Sequence, residues 1–399
     1  MVNVGKMSES LSRRLRPLYI AAFLQSFVLW YAVEKLFMTS IGFSSAGIGV
    51  MVAVYSAAML LVDIPSGILA DRWSRKGVLM FASFILILSA ITGGLSHSVG
   101  MYLLSAVLWG MFYACYSGMY ESIVYDTLLE ENQPEALYGK VYGRIQIADS
   151  LGLIVSSLIG GFLGSQLTLR APYFVSVVPA LAAIVSLCLF REPKLHRKSK
   201  NAQVFTQLRE TFRAITRNTR AVPVVVSLVL KSTVLFLFFE FDQLWLIALH
   251  TPTAYYGPIN AILLASIGLG GWAAQHVRLD RRKHASLLLL ALFASAFTLT
   301  VSHNIPIVVT AQTVAATSLV VLAIRLMNQL HGMLPSRLRA SAVSATSTLG
   351  RMLVIPIALL FGYVSEHASV FSATYILLIL GCLMSYFVWR SLRSVKRAE

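Results

Sequence analysis

Five carboxylates stand in stretches of sequence that are otherwise apolar: Glu34, Asp63, Glu121, Asp149 and Asp242. A carboxyl taken out of water favours its neutral form unless a cation is near. At the centre of a bilayer, a charged Asp costs about 2.5–3.5 kcal/mol on insertion scales. Groups so placed are suited to taking up and releasing protons. Glu121 is the first candidate, followed by Asp242 and Glu34, with Asp63 and Asp149 completing the set. Beside Glu121 runs an aromatic stripe: Trp109, Tyr113, Tyr116 and Tyr120 recur at i, i+4, i+7 and i+11, on one helical face. Such a stripe is either packing or a surface for stacking and cation–π contacts.

The elements that must position these residues follow from composition. The chain has 399 residues, 57% hydrophobic and 13% charged, with mean hydropathy +0.73. A soluble domain carries roughly 25% charged residues. Twelve stretches reach the length of about 20 apolar residues that a helical span needs. They run at about Pro17–Phe37, Ser45–Ala70, 77–95, Met101–Leu128, Gly139–Ser165, Pro172–Phe190, Val222–Leu249, Tyr255–Ala274, 285–302, 305–334, 341–364 and 369–390. The fold class is therefore all-α and membrane-embedded.

The net charge of +16 does not indicate nucleic-acid binding, because of where it falls. Nearly all Lys and Arg lie in loops and tails on one side. The exceptions are Lys35, Arg170, Lys231, Arg325 and Arg351. This asymmetry places both termini in the cytoplasm and favours anionic lipid at that face. The charged N-terminus leads straight into a full-length span, so no cleavable leader is expected. Cys115, Cys188 and Cys382 fall inside spans, with neither disulfide nor metal spacing. No phosphate-binding G-x-x-x-x-G-K-[ST], no H-E-x-x-H and no G-x-S-x-G occurs, so neither an ATP-driven pump nor an enzyme is indicated, and no cofactor or metal is expected.

Between spans 2 and 3 stands Gly67-Ile68-Leu69-Ala70-Asp71-Arg72-Trp73-Ser74-Arg75-Lys76. A small residue at Gly67 suits close helix approach, and Arg72, Arg75 and Lys76 hold the turn in the cytoplasm. The segment resembles the G-x-L-x-D-R-x-x-R-K loop of Major Facilitator Superfamily (MFS) transporters, with Ser74 where that family usually has Gly. Asp63-x-Pro65-x-Gly67 ahead of it resembles the same family, and Asp63 lies about 12 Å deeper than Asp71. In span 5, Gly143, Gly152, Ser156, Ser157, Gly160 and Gly161 resemble the family's antiporter signature, with Ser156-Ser157 in place of Gly-Pro. The helix-4 arginine of its proton-coupled drug antiporters is absent: Ala106 stands there.

The resemblance implies two six-helix halves, 17–190 and 222–390. Flanking them are a tail at 1–16, a central loop at 191–221 and a tail at 391–399. Within the loop, Val204, Phe205, Leu208, Phe212 and Ile215 recur at helical spacing, an amphipathic helix on the membrane surface. The halves read as a repeat: Arg339 stands to Gly362 as Tyr138 stands to Gly161, and Gln275 occupies the place of Asp71. The resemblance also implies a central cavity, with Gln25, Tyr31, Trp109, Tyr113, Tyr116, Tyr120, Arg325 and Asn328 as candidate lining. Candidates for conformational gating are Gly67, Asp71, Arg72, Arg75, Lys76, Asp126, Arg144 and Arg351. Asp126 is expected to meet one of the loop cations. Arg144 and Asp149 are expected to neutralise each other or neighbours, and Glu121 with Arg325 and Asp63 with Arg351 to pair across the halves.

Acids among aromatics suit an amphipathic cation. The expectation is a monomeric secondary transporter of the inner membrane, exporting drug-like compounds in exchange for protons. The alternatives are a proton symporter importing a sugar or small organic acid, and a sensor or scaffold on the same fold. Membrane-embedded Asn and Gln are sparse for polar recognition, which counts against the symporter.

Overall fold

A computed structural model describes residues 9–134, 136–193, 210, 213, 215, 216, 218–277 and 282–396. Among them all regular structure is helical, and twelve helices are long and apolar enough to cross a membrane. These spans, numbered in chain order, are Glu9–Ser40, Ser45–Arg72, Arg75–Leu95, Val99–Glu130, Leu137–Gln166, Ala171–Leu189, Ala221–Ala248, Thr253–Ala274, Lys283–Val301, Ile305–Met333, Ser341–His367 and Val370–Leu392. Within each helix the backbone polar groups bond one another, as a bilayer demands. Turn residues start several of them. Ser74 accepts from Gly77 N at 2.7 Å, Ser98 from Met101 N at 3.4 Å and Asn304 from Ile307 N at 3.3 Å. The three thiols are free. The amphipathic pattern expected at 191–221 lies for the most part outside the described residues; of its positions, Ile215 is buried and Arg213 exposed.

The chain forms two compact units. One comprises Met1–Gly42, Ala57–Ser199 and Pro252–Ala261; the other comprises Phe43–Ser56, Lys200–Thr251 and Ile262–Glu399. The beginnings of spans 2 and 8 thus each belong to the unit that does not hold the rest of their helix. Inside the first unit, span 1 packs on spans 5 and 6, and span 3 on spans 4 and 6. Inside the second, span 7 packs on 11 and 12, and span 9 on 10 and 12. The same pairings recur six spans on, as a structural repeat requires.

Two spans of the first unit are interrupted. Span 1, expected as one helix, consists of an α-helix Glu9–Gln25, a 3-10 turn Leu29–Val33 and a short helix Glu34–Ser40. Span 4 breaks between Val99–Tyr116 and Met119–Glu130, at Gly118 with φ +74°. Only glycine takes that conformation without strain. Span 6 bends at Ser176, between Ala171–Val175 and Val177–Leu189. Ser176 Oγ donates to Pro172 O at 2.7 Å and accepts the Leu29 N–H, which the break in span 1 frees, at 3.0 Å. Spans 7 and 10, six places on from the broken pair, are continuous.

Candidate functional site

The loop at 72–76 is held by named contacts. Of its three cations, Arg75 is the one that reaches Asp126; it also bonds Ser122 O at 3.1 Å and stands 3.5 Å from Asp71 Oδ1. Lys76 Nζ donates to Cys188 O at 3.0 Å and Phe190 O at 2.9 Å, where span 6 leaves carbonyls unpaired. Arg72 and Asp71 are exposed. Ser74, the departure from the family pattern, donates to Glu192 Oε2 at 2.6 Å while capping span 3, and Glu192 Oε1 accepts Lys76 N at 3.2 Å. The serine therefore ties the loop to the chain leaving span 6. Gly67 gives a different result from its expected reason: a Cβ there would meet nothing within 4 Å, so it mediates no close helix approach.

The glycines of span 5 do mediate close approach. A Cβ on Gly152 would strike Phe23 O, and one on Gly160 would strike Leu29 O. These two glycines bring span 5 backbone-to-backbone against both sides of the break in span 1. Gly161 lies against Gly257 Cα. In the second unit Gly362, its repeat equivalent, lies against Gly49, with Cβ-to-Cα spacing of 3.0 Å. Gly143 has open space around it. Ser157, in the signature's proline position, donates to Asn260 Oδ1 at 2.8 Å.

The interruption in span 1 places two polar residues side by side. Gln25 is fully buried; its amide donates to Leu79 O at 3.0 Å and Ser83 Oγ at 2.7 Å, and its carbonyl accepts from Tyr120 OH at 2.5 Å. Ser26 donates to Asp149 Oδ1, which also accepts from Tyr116 OH at 2.5 Å. Tyr116 and Tyr120 stand on either side of the break in span 4. Arg144 is exposed and faces Tyr19 rather than Asp149. Among the described residues no ion pair joins Arg144 to Asp149, so the expected mutual neutralisation is absent.

The aromatic stripe survives the break as a ladder. Trp109, Tyr113, Tyr116 and Tyr120 follow one another with ring centroids 6.4, 6.4 and 5.5 Å apart. Trp30 meets Trp109 edge-on at 5.8 Å and stacks on Tyr173 at 5.2 Å. The ladder ends there on a buried acid. Glu34 Oε2 stands 2.6 Å from Lys35 Nζ, and Glu34 Oε1 accepts from Tyr102 OH, which lies 2.8 Å from Tyr173 OH. The Lys35 side chain is 2% exposed, so the pair is desolvated and held by its hydrogen bonds. Tyr31, in the adjacent 3-10 turn, is half-buried. Sequence reasoning missed Ser26, Ser83, Tyr102 and Tyr173. Ser117-Gly118 was a legible turn signal inside an apolar run.

Glu121 lies elsewhere from these clusters. It is exposed and lines a cavity of about 530 Å³ with Arg75, Ser122, Tyr125, Asp126, Leu128, Leu129, Gln133 and Tyr138. Tyr125 and Tyr138 meet edge-on at 6.3 Å, and Tyr138 stacks on Tyr142 at 5.8 Å. The volume falls in the range of drug-sized pockets. With Arg75 paired to Asp126, the charge left among the described lining residues is the Glu121 carboxylate.

In the second unit, Asp242 is buried and accepts from Gln243 N at 2.7 Å, and Glu240 accepts from Tyr55 OH at 2.9 Å. Asp63, Arg351 and Arg325 are half-buried, and Asn328 is exposed. Arg325 donates to Ala274 O, while its Nε and the Nε2 of Gln329, one turn on, are buried and find no acceptor among the described residues. The described residues hold no group of His, Cys, Asp and Glu arranged for a metal.

Comparison with known proteins bears on what this arrangement serves. Residues 17–358 match the family model of the Major Facilitator Superfamily. The chain is 29% identical over 173 residues to Multidrug resistance protein 1 of Bacillus subtilis, covering 43% of this chain and 42% of that protein. It is 25% identical over 200 residues to Quinolone resistance protein NorA of Staphylococcus aureus, covering 50% and 49%. The matched stretches thus span just under half the length of these relatives. In fold the chain is similar to nucleoside transporter NupG, with TM-score 0.74 at 15% identity, covering 96% of this chain and 98% of that one. It is similar also to a D-xylose–proton symporter, with TM-score 0.72 at 13% identity, covering 94% and 97%.

Proposed function

The chain belongs to the Major Facilitator Superfamily, and on that premise we propose that it exports amphipathic, drug-like cations across the inner membrane in exchange for protons. It works by alternating access, with both termini and the loop at 72–76 in the cytoplasm. The observation that carries the reading is the cavity beside Glu121. Tyr125 and Tyr138 offer π-faces, Leu128 and Leu129 apolar contact, and Glu121 an uncompensated negative charge. Together they fit a planar aromatic cation. The drug-resistance names of the two relatives support the same substrate class.

A second reading, proton-driven uptake of a polar nutrient, is favoured by one feature. Among the described residues Arg325 Nε and Gln329 Nε2 have no acceptor, and a ligand rich in oxygen would supply one. Binding to the purified protein separates the two. Ethidium, a pentose and a nucleoside would be titrated against intrinsic fluorescence, with Glu121→Gln as the comparison. Export predicts that ethidium binds and that Glu121→Gln weakens it about tenfold, a loss of ~1.4 kcal/mol. Binding of pentose or nucleoside, with ethidium inert, overturns export.

A further inference from the structure

The acids of the first unit differ in what balances them. Glu34 is paired with Lys35, Asp126 with Arg75, and Glu130 and Glu131 with Arg14. Glu121 stands on an open cavity wall. Asp149 is half-buried and has no cation beside it among the described residues. Among the described residues no Lys or Arg comes within ion-pair distance of it, and its partners are two neutral hydroxyls, Ser26 and Tyr116. Resting on the proton-exchange reading above, we infer that Asp149 is the carboxyl that carries the coupling proton, and that Ser26 and Tyr116 transmit its protonation to the breaks in spans 1 and 4.

The geometry supplies the lever. Ser26 is the first residue beyond the helix Glu9–Gln25, and Tyr116 the last of the helix Val99–Tyr116. An ionised Asp149 only accepts, so both hydroxyls donate to it. Both donate to the same oxygen, Oδ1, so a proton bound at the other oxygen leaves the two bonds in place but removes the charge that strengthens them. Both breaks are therefore held more firmly by the ionised state, and proton arrival loosens them. The proton comes from water on one side, forms an O–H bond at the Asp149 carboxylate, and leaves to water on the other side when that bond breaks. Its inward charge balances the outward movement of a cationic cargo. Broken helices that flank an ion-binding carboxylate are a recurring device of transporters.

Other groups around Asp149 do not preempt this role. From span 4 the neighbours are Tyr116 and Tyr120, the latter engaged with Gln25. On span 5 itself they are Tyr142, which also neighbours Glu121, and Arg144, which faces Tyr19 of span 1. The segment from 253 onward meets span 5 at Ser157 and Gly161. A division of labour results, with Glu121 for cargo and Asp149 for the proton.

The test uses the full chain in proteoliposomes with ethidium, in two assays. The first follows proton movement when ethidium is added under a pH gradient. The second follows ethidium exchange with equal pH on both sides. Wild type is expected to show both. Asp149→Asn is expected to keep exchange within about twofold and to lose ethidium-driven proton movement, because a step that moves cargo without a change of protonation needs no titrating acid. Glu121→Gln is expected to weaken exchange while remaining proton-coupled. Proton movement persisting in Asp149→Asn overturns the inference. Ethidium transport by wild type with no proton movement at all overturns instead the exchange reading on which it rests. Should Asp149→Asn not fold, Tyr116→Phe decides. A displaced pH midpoint of proton movement supports the inference, and an equal loss of rate at every pH overturns it.

Discussion

Replacing Gly160 and Gly143 by alanine, one at a time, makes the same chemical change twice on one helix with opposite expected results. A Cβ on Gly160 would fall on Leu29 O, far inside the 3.4–4 Å of ordinary contact, and the obstacle is backbone rather than a side chain that can turn away. Spans 1 and 5 would have to part. Overpacking of this kind costs about 1–3 kcal/mol. At Gly143 a Cβ meets nothing within 4 Å, so alanine there gains about 0.5–1 kcal/mol from helix propensity. The two variants should differ by about 1.5–4 kcal/mol, which separates their unfolding midpoints by about 2–5 °C given the shallow slope of a large chain. Thermal unfolding of the purified proteins in one detergent reads this directly. Equal midpoints, or a less stable Gly143→Ala, would refute the argument that Gly160 exists to admit the break in span 1.

Three further outcomes are expected. Ser74→Ala should cost about 1 kcal/mol from the lost cap, whereas Ser74→Gly, the family's residue, should lose only a few tenths from the cap; unfolding midpoints distinguish them. Arg75→Ala should impair both stability and transport, since it removes the contacts to Asp126, Asp71 and Ser122 O, while exposed Arg72→Ala should leave both near wild type. Glu34→Gln should destabilise the protein, and the double variant Glu34→Gln with Lys35→Met should be more stable than the sum of the two single losses predicts, because the partners are coupled at 2.6 Å. A double-mutant cycle with no coupling would contradict that pairing.

The twelve spans were legible because a bilayer requires apolar length and nothing else about sequence. The repeat was legible in glycine spacing, and Gly161 and Gly362 both occupy helix contacts too close for a side chain. The interruptions were less so. In span 4 the Ser117-Gly118 step announces itself, but apolar run length masks it. In span 1 no glycine or proline marks the break at Ser26–Val28; it exists because Ser176 of span 6 captures Leu29 N and Gly160 of span 5 admits Leu29 O. Those causes lie more than a hundred residues away in sequence, where periodicity carries no information. For the same reason the surroundings of the acids were not legible: the partners that set Glu34 and Asp149 apart are tertiary.

Proton-driven export of aromatic cations would show itself in inside-out membrane vesicles containing the protein and acidified within. Ethidium is expected to accumulate inside and to be released when the pH gradient is collapsed, and vesicles lacking the protein are expected to do neither. Vesicles that accumulate no aromatic cation, from a preparation whose right-side-out counterparts take up a nucleoside or pentose with protons, would contradict proton-driven export.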